Sequence, residues 1–299
     1  MTQIRANGIV IDYDSSGPAD GVPLVLIQGF GQQGIAWPDT FVDGFVRAGL
    51  RVITFDNRDT GLTQKWDGIL PDFAAVSAAM RAGKKPEVPY TLADMAADVA
   101  GLLDELGIES AHIAGCSMGG MIAQLVALDH TAKTRSLTAI FSSPSDTDLP
   151  ASSREAHLAL AAQPPAHDRA SVIAHVLSKR QAYGSKGFAT DEARSAETVG
   201  RTYDRMYYPE GGHRHWSAIL ASPPRGERLK SLKCPALVLH GSDDTLLYAA
   251  HGRRIADCIS GAEYHEIAGW GHDFPPDVIP LLHGFMLPFI VKVEKTREG

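Results

Sequence analysis

The chain has few cysteines and no cysteine pair. Cys116, Cys234 and Cys258 are the three cysteines in 299 residues, and none belongs to a Cys-x-x-Cys segment. An odd count without such a segment argues against a disulfide framework and against a thiolate zinc site. The first eight residues also lack the apolar stretch typical of a signal peptide. We therefore expect a cytoplasmic protein.

Long apolar runs are absent as well. The longest apolar region, residues 278–293, is interrupted by Pro280, His283 and Pro288. It is shorter than the ~20 residues that a helix needs to cross a bilayer. The region therefore predicts a buried C-terminal helix, and no membrane span is expected.

Charges of one sign are not concentrated anywhere. The chain has 28 Lys and Arg residues against 35 Asp and Glu residues, a net charge of -7. Scattered, mildly acidic charge disfavours nucleic acid or an anionic membrane as a partner, so we expect a small molecule. The sequence has no HExxH segment, Walker loop or dinucleotide fingerprint, and it predicts no metal and no other cofactor. A homodimer remains one open alternative for the assembly.

The composition is that of a globular protein. Hydrophobic residues make up 44% of the chain and charged residues 21%, close to the averages for folded domains. At ~150 residues per domain, the length allows either two ordinary domains or one large α/β domain.

Short apolar runs alternate with helical patterns in the first half. Residues 4–6 and 9–13 flank Asn7-Gly8, which predicts an antiparallel hairpin. The later runs are apolar on both faces, as parallel strands covered by helices must be; they are residues 24–27, 52–55, 111–114, 137–141, 235–240 and 263–267. Helical spacing predicts helices near 38–48, 92–106 and 249–258.

The alternation is interrupted by a long helical segment. Residues 144–233 have helical spacing and Pro-Pro and Gly-Gly breaks, and they are too many for a loop. We therefore predict a helical cap at 144–233, inserted into a core domain formed by residues 1–143 and 234–299. A smaller excursion, 64–90, contains a candidate helix at 73–80.

The central chemical signal is Gly115-Cys116-Ser117-Met118-Gly119, which lies between a predicted strand and a predicted helix. A G-x-S-x-G segment in this setting is typical of a nucleophile elbow, a sharp turn that exposes the serine. Glycines on both sides give the clearance that the turn requires. Ser117 is therefore the predicted nucleophile.

A serine nucleophile needs a base, and His272 has the best position. It lies in a glycine-rich loop after the last predicted strand, where a side chain can reach over the carboxyl edge of the sheet. His240 also ends a strand, but we interpret it as a packed residue.

The base in turn needs a carboxylate to orient it. Asp243 and Asp244 follow the strand at 235–240, and spacing does not decide between them. The chain order Ser, Asp, His matches the order in α/β hydrolases. Asp146 or Asp148 is the alternative, one strand earlier.

An acyl-transfer site also needs donors for an oxyanion. One is the N–H of Met118, the residue after the nucleophile. The second is expected from the loop Gln28-Gly29-Phe30-Gly31, and we assign it to Phe30.

The polar cluster Asp56-Asn57-Arg58-Asp59-Thr60-Gly61 is interpreted as structural, its Arg and Asp side chains pairing within the loop. Cys116 is expected to point into the core.

These motifs together resemble the α/β-hydrolase superfamily over nearly the full length of the chain. Within it, five segments are similar to the family of aclacinomycin methylesterase and its bacterial relatives. They are Trp37-Pro38-Asp39-Thr40-Phe41, Phe55-Asp56-Asn57-Arg58-Asp59-Thr60-Gly61, the elbow at 115–119, Leu128-Asp129-His130 and Gly271-His272.

The resemblance implies an α/β-hydrolase fold with a mostly parallel eight-stranded sheet, flanking helices and a helical cap after strand 6. It also implies Ser117 as nucleophile, Asp244 as acid, His272 as base, and the Phe30 and Met118 amides as the oxyanion hole. It thereby chooses Asp244 over Asp243. That family has glycine where Phe30 stands, so a bulky anthracycline substrate is not implied.

The predicted function is cofactor-independent hydrolysis of a carboxylic ester through an acyl-enzyme on Ser117. The partner is then a small-molecule ester, and four aromatic residues are predicted to contact it: Trp37, Tyr183, Tyr207 and Trp216. Perhydrolase (haloperoxidase-like) and carbon–carbon bond hydrolase chemistry use the same triad and remain alternatives. A non-catalytic small-molecule receptor is the alternative from a different class.

Overall fold

The computed structural model describes residues 2–298. Within them eight strands form one sheet of order β1-β2-β4-β3-β5-β6-β7-β8. The strands are β1 Thr2–Ala6, β2 Ile9–Ser16, β3 Val22–Ile27, β4 Leu50–Phe55, β5 Ala111–Cys116, β6 Thr134–Ile140, β7 Ala236–Gly241 and β8 Glu263–Ile267. β2 runs antiparallel to β1 and β4, and the other neighbouring pairs are parallel. The predicted sheet is confirmed.

The hairpin at the start of the sheet has the predicted turn. Asn7 and Gly8 both have positive φ, 48° and 78°, as a two-residue type I′ turn requires. Ala6 then pairs with Ile9 across the turn. This antiparallel pair closes the edge of a sheet that is otherwise built from crossover connections.

Helices cover both faces of the sheet. The core helices are α1 Asp39–Arg47, α2 Phe73–Arg81, α3 Leu92–Glu105, α4 Met118–Asp129, α10 Ala249–Cys258 and α11 Val278–Glu298; the cap helices are α5 Arg154–Ala161, α6 Arg169–Tyr183, α7 Glu192–Arg205, α8 Glu210–Leu220 and α9 Gly226–Leu229. Two buried apolar clusters result, one with α3 and α4 and the other with α1 and α11. Each covers one sheet face.

The five helices called cap helices here lie between β6 and β7, at the place in the chain where the sequence predicts a helical insertion. The apolar C-terminal region forms α11, whose Leu282 and Met286 are fully buried in the cluster with α1. No helix within residues 2–298 combines the length and the apolar character needed to cross a membrane.

The parallel strands end at one edge of the sheet. The loops after β3, β5, β7 and β8 lead from that edge to the four segments on which the sequence places the nucleophile, the acid, the base and the oxyanion donors. In open α/β sheets this edge, where the carboxyl ends of the strands meet, is the usual ligand site.

Candidate active site

Ser117 occupies a sharp turn between β5 and α4. Its φ is 54° and its ψ is −121°, a backbone conformation that residues with a side chain rarely adopt and that marks strain at a functional position. A Cβ on Gly115 would lie 2.2 Å from the Gly119 carbonyl oxygen, and a Cβ on Gly119 would lie 2.1 Å from that of Ile27. The two glycines are therefore required for the turn and for the close approach of α4 to β3.

Asp244 and His272 form a hydrogen-bonded pair at the same edge. The distance from Asp244 Oδ2 to His272 Nδ1 is 2.7 Å, and Asp244 is completely buried. Because a carboxylate only accepts hydrogen bonds, Nδ1 carries the proton and Nε2 of neutral His272 keeps its lone pair. The imidazole is thus held in the form that can act as a base.

The other oxygen of Asp244 is fixed by backbone donors. Oδ1 accepts from the N–H groups of Leu246 and Leu247, at 2.9 and 2.8 Å. Burial raises the pKa of Asp244, but the nearby His272 and His240 lower it by more, so the pKa lies well below its usual range. The carboxylate therefore stays ionised when the imidazole beside it becomes charged.

The competing residues have other partners. His240 is completely buried, and its Nε2 donates to the Leu247 carbonyl oxygen at 2.7 Å, with Asp244 Oδ2 farther away at 3.5 Å. Arg254 pairs with both Asp146 and Asp148, at 3.0 and 2.7 Å. Asp243 accepts from the Ser242 hydroxyl at 2.9 Å. Of these candidates, the structure brings Asp244 and His272 together.

The Ser117 hydroxyl makes no hydrogen bond to His272 within the described residues. Such a bond between nucleophile and base is often long until substrate is bound. The His272 ring lies 4.4 Å from the ring of Phe141, centroid to centroid. The backbone N–H of His272 donates to the Tyr183 carbonyl oxygen at 2.7 Å. Core and cap together hold the loop that carries His272.

The loop after β3 approaches Ser117 from the side. A Cβ on Gly29 would lie 3.2 Å from Ser117 Cβ and 3.8 Å from its hydroxyl oxygen. Asn57 Nδ2 donates to the Gln28 carbonyl oxygen at 3.0 Å and anchors the start of the loop. The Phe30 and Met118 amides donate to no protein acceptor among residues 2–298. Both are free to donate to an oxyanion.

Three of the four predicted substrate contacts lie near this site or on the cap above it. Tyr183 meets the His272 ring edge to face at 6.1 Å, and Trp216 meets the Phe30 ring in the same way at 6.2 Å. Burial raises the pKa of Tyr183 to about 12, so its hydroxyl remains protonated. Tyr207 borders a cavity of about 130 Å³ between the cap and Gly31.

Trp37 does not join this group. Its side chain is 1% exposed and stacks on Phe41, with ring centroids 5.3 Å apart, inside the apolar cluster that contains α1 and α11. The predicted substrate contact is therefore corrected to a packing role. From sequence alone, an aromatic residue in a loop does not distinguish a core position from a pocket position, because both take an apolar ring.

The polar cluster after β4 is structural, but its pairs differ from the prediction. Arg58 does not pair within the loop; it binds Asp98 of α3 through two hydrogen bonds of 2.7 Å. Asp59 instead pairs with Arg214 of the cap at 2.8 Å. Arg205, also from the cap, binds Asp56 at 2.6 Å. The cluster therefore joins the core to the cap.

Cys116 points into the core as expected. It is 3% exposed, and burial raises the pKa of its thiol to about 12. A protonated, buried thiol is a poor nucleophile. Within the described residues no group of three or more His, Cys, Asp and Glu side chains is placed to hold a metal ion.

Sequence reasoning missed the cap residues that touch the loops of the site. Ser185 Oγ donates to Asp273 beside His272 at 2.5 Å, and it accepts from the Gly271 amide at 3.0 Å. His215 contacts the Gly31 amide. No spacing rule connects positions so far apart in the chain, and a histidine in an amphipathic helix carries no local signal.

Comparison with known proteins agrees with this architecture. The family model of the alpha/beta hydrolase fold matches residues 22–277. Rhodomycin D methylesterase DauP of Streptomyces sp. (strain C5) is 29% identical over 86% of this chain and 87% of its own length. The putative carbamate hydrolase RutD of Variovorax paradoxus (strain S110) is 27% identical over 95% of this chain and 97% of its own.

A solved structure is similar over almost the whole chain. The enol-lactonase from Burkholderia xenovorans LB400 superposes with a TM-score of 0.72 at 19% identity, covering 97% of this chain and 100% of the lactonase. The eight-stranded sheet, the elbow at the end of β5 and the family match over most of the sequence lead to one conclusion: this chain belongs to the α/β-hydrolase-fold family.

Proposed function

We propose that the protein hydrolyses a carboxylic ester through an acyl-enzyme on Ser117. The observation that carries the proposal is the 2.7 Å pair of Asp244 and His272, located at the sheet edge where half-buried Ser117 occupies its positive-φ turn. Nucleophile, base and orienting carboxylate are the parts that serine acyl transfer requires. The methylesterase and hydrolase relatives support the same reaction class.

The acylation step follows from the protonation state of His272. Ser117 Oγ attacks the ester carbonyl carbon while Nε2 of His272 takes the hydroxyl proton. The carbonyl oxygen becomes an oxyanion and receives hydrogen bonds from the Phe30 and Met118 amides. The tetrahedral intermediate then collapses, and the alcohol leaves with the proton from Nε2.

Deacylation repeats these proton transfers with water. His272 Nε2 takes a proton from a water molecule, whose oxygen attacks the acyl carbon. Collapse of the second intermediate breaks the bond to Ser117 Oγ, which recovers its proton from Nε2. The products are an alcohol and a carboxylic acid, and no cofactor takes part.

The surroundings of the site favour an apolar or aromatic ester. Phe30, Tyr183 and Trp216 present rings beside the Ser117 and His272 loops, and apolar walls with few polar groups are typical of small-molecule pockets. We propose that Tyr183 and Trp216 contact the substrate and that Tyr207 lines the approach from the cap. We expect the enzyme to be cytoplasmic and to have neither a nucleic acid nor a membrane as a partner.

A substrate screen tests this function. Wild-type protein is incubated with p-nitrophenyl esters of increasing chain length, methyl esters and lactones, and Ser117→Ala is compared with Ser231→Ala, a control at an exposed serine. We expect turnover by the wild type and by Ser231→Ala, and loss in Ser117→Ala. If no ester is turned over and peracid forms from acetate and peroxide, the protein is a perhydrolase and the proposed esterase activity is wrong. Activity retained in Ser117→Ala would contradict the proposed nucleophile.

A further inference from the structure

Three successive amides of the loop after β3 have different partners. The Gly29 N–H donates to Gln28 Oε1 at 3.2 Å, and the Gly31 N–H donates to Nδ1 of His215 at 3.2 Å. The Phe30 N–H between them has no acceptor within the described residues. Two side chains therefore satisfy the flanking amides and leave free the Phe30 amide, which is the donor that this loop would give to the oxyanion.

His215 is in the only protonation state that fits both of its partners. Its Nε2 lies 2.7 Å from the carbonyl oxygen of Arg58, which can only accept, while the Gly31 N–H at Nδ1 can only donate. The ring is therefore neutral, with its proton on Nε2. Complete burial lowers the pKa of His215 and keeps this form at neutral pH.

On its Nε2 side, His215 contacts a core segment, at Arg58, that is held by buried hydrogen bonds. The Arg58 guanidinium is clamped by Asp98 through two hydrogen bonds of 2.7 Å, and it lies 5.0 Å from the ring centroids of both Trp66 and Tyr90. His215 is a residue of cap helix α8. The cap thus supplies the side chain that joins the core segment at Arg58 to the turn around Phe30.

The Gly31 amide that His215 contacts belongs to a tight turn around Phe30. Gln32 N–H donates to the Gly29 carbonyl oxygen at 3.2 Å, and Gly31 has a φ of 66°, as at the third position of a type II turn. The direction of the Phe30 N–H is set by the turn, and the Gly31 amide is its neighbour along the backbone. A shift of the Gly31 amide would therefore change the direction of the Phe30 N–H.

We propose that His215 is a positioning residue that holds the Phe30 amide at the oxyanion site, so that the docked cap completes the oxyanion hole. The proposal rests on the proposed esterase function. It differs from a purely structural role because a specific ring nitrogen, Nδ1, acts as the acceptor for Gly31. Removing that acceptor lowers kcat more than it raises KM, since an oxyanion forms only during the reaction.

Two substitutions separate the ring nitrogens of His215. His215→Asn places an amide oxygen near Nδ1 and keeps an acceptor for Gly31, whereas His215→Gln reaches Arg58 and leaves Gly31 without one. We expect His215→Gln to lower kcat by about 10- to 100-fold with KM changed by less than about threefold, and His215→Asn to restore most of kcat. His112→Gln is the control, since His112 is 1% exposed but at the opposite end of β5.

Hydrogen exchange measured by NMR gives a readout that does not depend on turnover. In the wild type, the Gly29 and Gly31 amides exchange slowly and the Phe30 amide exchanges fast. In His215→Gln, the Gly31 amide becomes fast, while His112→Gln leaves it slow. Fast exchange of Gly31 in the wild type overturns the proposal even if the His215 variants do not fold.

The outcomes distinguish this proposal from the proposed function. Wild-type kcat in His215→Gln, or an equal loss of kcat in the Asn and Gln variants, overturns the positioning role while leaving the esterase in place. If the wild type hydrolyses no ester, the proposed function fails. The Gly31 exchange rates then still support or overturn the anchoring by His215.

Discussion

The two oxygens of Asp244 have separate tasks. Oδ1 is held by two backbone N–H groups, and Oδ2 faces His272. The backbone contacts fix the direction of the carboxylate, so that Oδ2 orients the imidazole and selects its proton position. This division explains why Asp244, and not its neighbour Asp243, fits the role of the acid in the proposed reaction.

Asp244→Asn tests this role at the scale of one atom. The amide oxygen can still accept from Leu246 and Leu247, but an NH₂ group then faces Nδ1 and forces the proton of His272 onto Nε2. We expect kcat to fall by about 10⁴-fold, as loss of the correct tautomer does in a serine triad. Steady-state ester hydrolysis measures the loss, and urea unfolding checks that the variant is folded.

Asp243→Asn is the matched control. Its carboxylate accepts from the Ser242 hydroxyl and does not contact His272, so kcat is expected to stay near the wild-type value. Equal losses in the two variants, or near-normal activity of Asp244→Asn, would contradict the assignment of the acid.

At the scale of elements, the position of helix α4 sets the position of Ser117. Gly119 lies in the first turn of α4, and there it meets the backbone at the end of β3. The small residue lets the helix start directly behind the serine. The N-terminus of α4 then points its first free amide, that of Met118, toward the site.

Gly119→Ala and Gly284→Ala form a pair with opposite expectations. The new Cβ at position 119 would lie 2.1 Å from the Ile27 carbonyl oxygen, whereas a Cβ at exposed position 284 in α11 would have no described atom within 4 Å apart from its chain neighbours and its own helix backbone. We expect Gly119→Ala to lower the free energy of unfolding by about 1–3 kcal/mol because the new methyl group is overpacked against backbone. Gly284→Ala should stabilise it by about 0.5–1 kcal/mol through helix propensity.

Thermal unfolding followed by circular dichroism measures both changes. Equal midpoints for Gly119→Ala and the wild type would show that α4 can move away from β3 without cost. That result would contradict the close packing on which the elbow depends.

The elements that sequence predicts well are those specified by local pattern. Residues 24–27 and 52–55 are apolar on both faces and lie in β3 and β4. A short run that can be buried on both faces fits a strand covered by helices on both sides. The loop after β5 was equally readable, since a strained serine turn needs glycine on either side. Ser117 could therefore be proposed from the sequence pattern, and His272 from its glycine-rich loop after the last strand, whereas the choice of Asp244 over Asp243 needed the family resemblance.

Contacts between the cap and the core were not readable in this way. Trp37 was misassigned because an aromatic side chain suits a core and a pocket equally. His215 and Arg214 escaped notice because their partners, Gly31 and Asp59, are 184 and 155 positions away. Such pairs are set by how the cap is placed on the sheet, which no local periodicity encodes.

At the scale of the whole molecule, buried ion pairs fasten the cap to the core. Arg214 and Asp59 are 1% and 0% exposed and pair at 2.8 Å, with a second bond of 3.0 Å. Arg205 binds Asp12 and Asp56 in the same region. The charges lie beside the loop that His215 touches, so the cap is held where the site needs it.

Arg214→Met tests this attachment. It leaves the carboxylate of Asp59 buried without its cation, so we expect the free energy of unfolding to fall by about 3–5 kcal/mol. Arg201→Met is the control, because Arg201 is 44% exposed and lies 3.5 Å from Asp39; exposed pairs of this kind contribute at most ~1 kcal/mol. Urea unfolding compares the two, and equal effects would contradict a specific attachment of the cap by Asp59.

The central claim is that Ser117 is an activated nucleophile, and covalent labelling tests it most directly. A fluorophosphonate reacts with a serine whose base and oxyanion donors are in place, and mass spectrometry of the digested protein locates the adduct. We expect one phosphonyl group on Ser117 in the wild type and none in Ser117→Ala. An unlabelled wild type, or the same labelling in Ser117→Ala, would contradict it.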